Sequence, residues 1–501
     1  MRRILGIDLG TTYSAMAAVE ETGAPAIITN REGERTTPSV VLFQGGEPIV
    51  GTLALRSATV SPNDVVRFVK RQMGNPDWEF VTGEGQTFGP EEISALILRR
   101  MREDAEEMTG HTFDRAVITV PAYFSDAQRK ATHDAGQIAG LEVMRVLNEP
   151  TAAALAFGID SSATGTVLVY DLGGGTFDVT VMRVQDGELE VLATGGDRNL
   201  GGFDWDNATM GLLNERFVAA GGKSLLDDAA PGVAEDLREK AEMAKRTLSQ
   251  SAKCVVMLSH DGVTQRIQLT REEFELTTRD LLERTQMHVE MTLEDARVDW
   301  SGIDRVLLVG GSTRMPAVRG LVENLSGRTP EHNVNPDEIV AMGSAIMAEL
   351  LDLDSRRVDD VAVQDVTSHG LGTVVTIDGG PNMENSIIIP KNTAIPCRRS
   401  QVYSTVDDRQ AAMEVEVTEG DDIDLDYVRV LGTSTIPVPP YPAGAPVEVS
   451  FDLDANGIIG VSVVDLTANK PLGTFTVDRE ANLSDPQIES SMQRIARMEV
   501  S

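Results

Sequence analysis

The sequence predicts an α/β domain of two similar lobes followed by an antiparallel β-sandwich. A strand that stops at an aspartate and runs into a glycine turn occurs twice, at 4–12 and 167–178. Strand and helix signals alternate from the N-terminus to about Asp354. Beyond Asp365 the hydrophobic period becomes two and helix signals vanish until residue 485.

The second copy of the hairpin is the more telling. Val167-Leu168-Val169-Tyr170 has the β-branched and aromatic character of a buried strand, and Asp171 ends it. Gly173, Gly174 and Gly175 follow, then Thr176 and Asp178. Adjacent glycines offer nothing to pack, so they point to a tight turn whose backbone amides approach a bulky anion. Carboxylates at both ends suit a phosphate chain carrying a metal ion, which offsets the repulsion between acid and phosphate. In the first copy, Asp8, Gly10, Thr11 and Thr12 repeat the design and lead into a strand at 14–19. One Asp-Leu-Gly turn is a common hairpin; two with the same flanks make an internal repeat with chemistry in its turns.

The intervening elements alternate. A strand at 40–43 follows a loop at 35–39, and 91–108 is a helix with Ile93, Leu96, Ile97 and Met101 on one face. The strand 116–120 is stopped by Pro121; Ser125 and Asp126 then open a helix through Ala139, interrupted at modest cost by Gly136. A strand at 143–147 leads through Asn148-Glu149-Pro150-Thr151 into an alanine-rich helix ending at Gly158. After the second hairpin, 235–248 is charged and helical, and 305–314 is a third strand-to-glycine turn opening a helix near Pro316. Asn335-Pro336-Asp337-Glu338 caps a last helix to about Leu351. Such alternation places ligands in the crevice at the strand ends.

The polar stretch 355–360 reads as a hinge. Beyond it Met413, Val415 and Val417 alternate with glutamates, Val447, Val449, Phe451 and Leu453 alternate with polar residues, and 454–457 is a turn, giving a sandwich over 365–479. The segment 485–498 is an amphipathic helix capped by Asp485, with Pro486 in its first turn and Ile488, Met492 and Ile495 on one face. It is too short to be stable unless it docks.

Composition narrows the function. The 501 residues are 41% hydrophobic and 24% charged, as in soluble globular domains. Lys and Arg number 44 against 78 Asp and Glu, a net charge of −34 that argues against nucleic acid or a membrane as partner. Cys254 and Cys397 form no metal-ligand spacing and no disulfide framework, which fits a reducing cytoplasm. The N-terminus runs straight into the first hairpin, leaving no room for a signal peptide, and no apolar run reaches membrane-spanning length. Gly221-Gly222-Lys223-Ser224 mimics the end of a P-loop, but Phe217 stands where that motif needs glycine. Gly83, Gly85 and Gly89 miss dinucleotide spacing by one residue.

Six stretches then make a recognisable set: 6–12, 117–124, 148–154, Asp171-Leu-Gly-Gly-Gly-Thr-Phe-Asp178, Val309-Gly-Gly-Ser-Thr-Arg314 and 335–338. In this order, over nearly the whole chain, they resemble the DnaK-type 70-kilodalton heat-shock chaperones. The resemblance implies an actin-like ATPase domain with a duplicated ribonuclease-H-like core at 1–354, a linker at 355–364, a peptide-binding β-sandwich at 365–479 and a short helical stub at 480–501. It implies ATP hydrolysis to ADP and phosphate, Mg2+ and K+ as ions, cytoplasmic location, and a role in protein folding and the stress response. Its partners would be unfolded client polypeptides, a J-domain co-chaperone and a GrpE-type nucleotide exchange factor.

Carried over position by position, Lys70, Glu149, Asp171 and Thr176 resemble the catalytic set. Asp8 and Asp171 resemble the magnesium-ordering carboxylates, and Asp178 a potassium ligand. Gly10, Thr11, Thr12, Tyr13, Gly173, Gly174, Gly201 and Gly202 match phosphate-side positions. Glu242, Lys245, Arg246 and Ser249 match an adenosine clamp on one helix face, completed by Gly310, Gly311, Ser312, Arg314 and Asp337. Pro121 and Arg129 match the relay of nucleotide state, and Tyr403, Val406, Met413 and Val415 the peptide cleft.

The chain also departs from the pattern. The family's large apolar linker is here Val361-Ala362-Val363-Gln364. Each lost methylene is worth about 0.8 kcal/mol when buried, against interdomain couplings of about 1–3 kcal/mol, so weakened or abolished communication is expected. Met413 stands where a smaller residue forms the central pocket, the loop 376–386 is longer, the segment 74–90 is shorter, and 485–498 is all that corresponds to a helical lid. A nucleotide-switched adaptor with one dedicated partner is the alternative these departures suggest.

Overall fold

A computed structural model describes residues 2–159, 164–185, 188–227, 230–331, 335–352, 362–377, 380, 382–454, 457–477 and 482–501. Two sheets of one plan dominate the first 350 residues. In the first lobe the strand order is Glu142–Asn148, Thr112–Val120, Arg2–Asp8, Tyr13–Val19, Pro25–Ile28. In the second it is Arg305–Val309, Gly165–Leu172, Phe177–Gln185, Glu188–Asp197. Arg2–Asp8 and Gly165–Leu172 each pair antiparallel with their hairpin mate and parallel with the strand on the other side. The repeat read from two glycine turns is thus a repeat of topology, and it sets Asp8 and Asp171 at equivalent strand ends. Helices Glu149–Ile159 and Ile339–Leu351 contribute Leu155, Ile346 and Met347 to a core shared with Val117 and Leu147 of the first sheet and Val167 and Leu307 of the second.

The expected helices form. Ser125 caps Asp126–Ile138: its hydroxyl accepts from Gln128 N, and the Gln128 amide oxygen accepts from Ser125 N. Gly136 is more than tolerated in this helix. A Cβ there would lie 2.3 Å from Val143 Cγ2 and 2.9 Å from Ile118 Cδ1, so glycine lets the helix lie close on the sheet.

Beyond residue 370, strands Met383–Ile389, Leu371–Thr376, Ala412–Glu419 and Arg429–Pro437 form one antiparallel sheet, and Cys397–Ser404, Pro446–Leu453, Ile459–Asp465 and Lys470–Thr476 another. Ile389, Val415 and Val417 of the first share a core with Val449, Phe451 and Val461 of the second. Among the described residues no helix is long and apolar enough to cross a membrane.

Two segments differ from expectation. The hinge at 355–360 lies outside the described residues, but Ala362–Val366 is a strand, parallel to Glu188–Asp197 of the second lobe and antiparallel to Ala394–Ile395 of the sandwich. One sheet therefore crosses from lobe to sandwich. The expected penalty applies to buried methylenes; among the described linker residues, Ala362 and Gln364 are exposed and Val363 turns partly inward. Backbone pairing holds Ala362–Val366 to both neighbours, and the side chains of Ala362 and Gln364 face water.

The C-terminal helix Asp485–Ala496 is capped by Ser484 rather than Asp485, with Gln487 closing the capping box. It lies on the first lobe, where Ile488, Ile495 and Val500 join the core around Phe88 and Leu96, while Met492 stays 37% exposed at the edge. Arg494 stacks 3.9 Å from the Phe88 ring centroid and pairs with Glu92 at 3.3 Å. Val50 N–H donates to Ser501 O at 2.9 Å.

Candidate active site

The two glycine turns meet. A Cβ on Gly174 would lie 2.5 Å from Thr12 Oγ1, and one on Gly175 2.6 Å from Thr11 Cγ2. None of Gly173, Gly174 and Gly175 has a positive φ. Glycine is needed there for close approach between lobes, not for a left-handed turn. The turns border one cleft of about 670 Å³.

Asp8, Gly10, Thr11, Thr12, Tyr13, Lys70 and Glu149 line the cleft from the first lobe. Asp171, Gly173, Gly174, Thr176 and Gly202 line it from the second, with Glu242, Lys245, Arg246 and Ser249 on the helix Pro231–Gln250. Gly310, Gly311, Ser312, Arg314 and Asp337 close one end. Two expected residues stand behind the lining. Gly201 packs the start of the helix Gly202–Ala219 against the second glycine turn, where a Cβ would lie 2.5 Å from Gly175 N. Asp178 lies just behind the lining and accepts from Tyr123 N at 2.8 Å.

The floor concentrates charge. Lys70 Nζ donates to Glu149 Oε1 at 2.5 Å, and both residues are buried. Burial, then the neighbouring Glu149, pushes Asp8 up to about 7. The same causes push Asp178 up to about 7. Asp171 is raised well above the usual carboxylate range by burial, with Glu149, Asp178 and Asp8 adding repulsion. Around the rim, Arg246 donates to Tyr13 Oη at 3.2 Å and pairs with Glu242 at 2.7 Å. Lys245 is held by Gly202 O at 2.9 Å and Asp206 at 2.8 Å. Ser312 Oγ donates to Gly173 O at 2.8 Å. Asp206 went unread in the sequence; its only signal was its place one helical turn after Gly202.

The expected relay residues lie between this floor and the sandwich. Pro121 is buried at the end of Thr112–Val120. Arg129 Nη2 donates to Ala122 O at 2.9 Å, to Asn148 Oδ1 at 2.6 Å and to Ser368 Oγ at 3.4 Å. Asn148, next to Glu149 in the chain, donates to Asp365 Oδ2 at 2.7 Å. His369 stacks edge-on against Tyr123 at 4.3 Å, and Asp126 N–H donates to Glu419 at 2.9 Å. None of Asp365, Ser368, His369 and Glu419 belonged to a sequence motif considered above. Of the expected peptide residues, Val406 is exposed, Tyr403 and Met413 are half-buried, and Val415 is buried in the sandwich core. Tyr403 Oη lies 3.0 Å from Ser386 Oγ.

This arrangement has counterparts among known proteins. A family model described as Hsp70 protein matches residues 4–82 and 77–500. The chaperone protein DnaK of Halobacterium salinarum, in strains R1 and NRC-1, is 44% identical over 499 residues, covering 98% of this chain and 77% of the relative. The chain belongs to the Hsp70 family. It is an ATP-dependent molecular chaperone and an ATP hydrolase.

Hsp70 proteins work on ATP and ADP with Mg2+. The residues present fit a cation: Asp8, Glu149, Asp171 and Asp178 act on one another electrostatically with Lys70 as the ammonium among them. Asp178 Oδ2 is also buried with no hydrogen-bond partner among the described residues. Those residues bring no three His, Cys, Asp or Glu side chains close enough to hold an ion directly. The donor set therefore suits an ion that keeps water and phosphate oxygens as ligands.

Proposed function

We infer that the cleft between the lobes is the ATP site of an actin-like ATPase domain at 1–354, and that 365–479 binds extended apolar peptide. The meeting of the two turns in one cleft carries this reading, because it gathers amides, hydroxyls, carboxylates and an ammonium from both lobes. Thr11, Thr12, Gly173, Gly174 and Thr176 hold the phosphates. Glu242, Lys245, Arg246, Ser249 and Arg314 hold the adenosine. Mg2+, when bound, neutralises phosphate charge, with Asp8 and Asp171 ordering its waters. Lys70 stabilises negative charge on the transferred phosphoryl group, and Glu149, fixed by Lys70, orients the attacking water. Asp178 serves K+, a role its unpartnered buried oxygen supports.

Lys70→Ala tests the assignment. It removes the ammonium from the reacting group and leaves Glu149 unpaired, so single-turnover hydrolysis should fall by about a hundredfold or more. An unchanged rate would remove Lys70 from the mechanism.

In the sandwich, Tyr403, Val406 and Met413 contact peptide and Val415 supports them from beneath. Main-chain hydrogen bonding to an extended segment suits the strand edges. The contacts of Asp365 with Asn148 and of Ser368 with Arg129 carry nucleotide state to that site, with 355–364 as linker. Clients are unfolded polypeptides, with a J-domain co-chaperone and a GrpE-type exchange factor as helpers in the cytoplasm.

A further inference from the structure

We propose that Phe68 and Phe203 form an aromatic latch that holds the two lobes closed over the phosphate end of the cleft and sets the rate at which ADP leaves. The inference rests on the cleft being the nucleotide site.

Phe68 belongs to the first lobe, between the strand Val65–Arg67 and the short helix Val69–Gln72. It holds φ 60 and ψ 23, the left-handed region that a bulky side chain rarely adopts. Such a conformation persists where its surroundings impose it. Here part of the surroundings belongs to the other lobe. The Phe68 ring meets that of Phe203 edge-on, at 4.7 Å and 65°. The Arg238 guanidinium stands 4.7 Å from the Phe203 centroid and 5.7 Å from that of Phe68. Arg71 stands 4.7 Å from the Phe203 ring, and Arg67 4.9 Å from the Phe68 ring.

Ion pairs cross the same gap. Arg67 meets Glu235 at 2.9 Å and Glu242 at 3.8 Å, and Arg71 meets Asp204 at 2.9 Å. Opening the cleft must part the rings and these pairs together. Both phenylalanines border the cleft and are half-buried. Their position in the cleft is fixed. Phe203 N–H donates to Gly174 O at 2.8 Å, and Phe68 lies two residues from Lys70. The rings have no acid, base or nucleophile to offer, so a role in chemistry is excluded, and a role in closure follows from what they join.

The test is stopped-flow dissociation of a fluorescent ADP from the full chain. Phe203→Ala and Phe68→Ser should each speed dissociation by about tenfold. The double variant should be faster than either single one by less than the product of their effects, because each breaks the shared ring pair while Arg238 still meets Phe68 or Arg71 still meets Phe203 in the single variants. Phe203→Tyr, which keeps the ring, should retain the slow rate and so excludes a mere folding defect. Unchanged dissociation in Phe203→Ala, or effects that multiply in the double variant, would overturn the latch. Ser249→Trp, which fills the adenosine end, should abolish binding of the probe; retained binding would overturn the nucleotide assignment of the cleft, and the latch with it.

Discussion

Asp8 and Asp178 are held neutral far above the pH at which carboxyls usually ionise, and this has a measurable sign. A folded pKa of about 7 exceeds that of the unfolded chain. Each group therefore contributes stability that is complete below the unfolded pKa of about 4 and is lost as pH rises through about 7. A divalent cation needs the ionised form, so protons compete with it. Thermal stabilisation by Mg2+ and ADP should accordingly be larger at pH 8 than at pH 6, with affinity falling about tenfold per pH unit for each carboxyl that must ionise. Scanning fluorimetry at pH 6, 7 and 8, with and without Mg2+ and ADP, reads this directly for Asp8. A shift that is flat or larger at pH 6 would contradict the assignment of Asp8 to the magnesium ion.

At the scale of elements, the C-terminal helix tests how marginal pieces are held. Twelve residues are too few for a stable isolated helix, so Asp485–Ala496 exists through docking. Ile495 is fully buried against the first lobe, and its carbonyl accepts from Arg99 at 2.5 Å. Ile495→Asp should free the helix, and its amides should then exchange with deuterium at nearly unprotected rates while Pro90–Thr109 stays protected. Continued protection of the helix would mean that docking is not what stabilises it. The sequence made the helix legible through its apolar face and Pro486, but not its cap or its partner, because the residues it meets are hundreds of positions away. The cleft followed the opposite rule. Phosphate and ion chemistry demands particular residue types in fixed local spacing, so Asp8, Thr12, Asp171 and Thr176 could be named from the chain alone. Phe68 and Phe203 could not, since a lone aromatic reads as core until its neighbours are seen.

At the scale of the molecule, the cleft between the lobes is joined to the sandwich through contacts among Arg129, Asn148, Asp365 and Ser368. Asp365 is buried, lies in the strand Ala362–Val366, and accepts from Asn148 and from Thr151 at 3.4 Å. Asp365→Ala leaves both donors without their acceptor and should abolish stimulation of ATP turnover by an unfolded apolar peptide. Because position 364 is exposed, Gln364→Leu should leave stimulation within about twofold of the parent. Steady-state turnover with and without peptide separates the two cases, and equal stimulation in Asp365→Ala would show that the signal travels elsewhere.

The sheet shared between lobe and sandwich has a further consequence. Any separation of the two halves unzips either Glu188–Asp197 from Ala362–Val366 or Ala362–Val366 from Ala394–Ile395. Each parting lays bare a row of unsatisfied amides and carbonyls, a ready template on which a second molecule can polymerise. The surplus of acid, −34 over the whole chain, then works as colloidal insurance, keeping neighbouring copies apart while those margins are open.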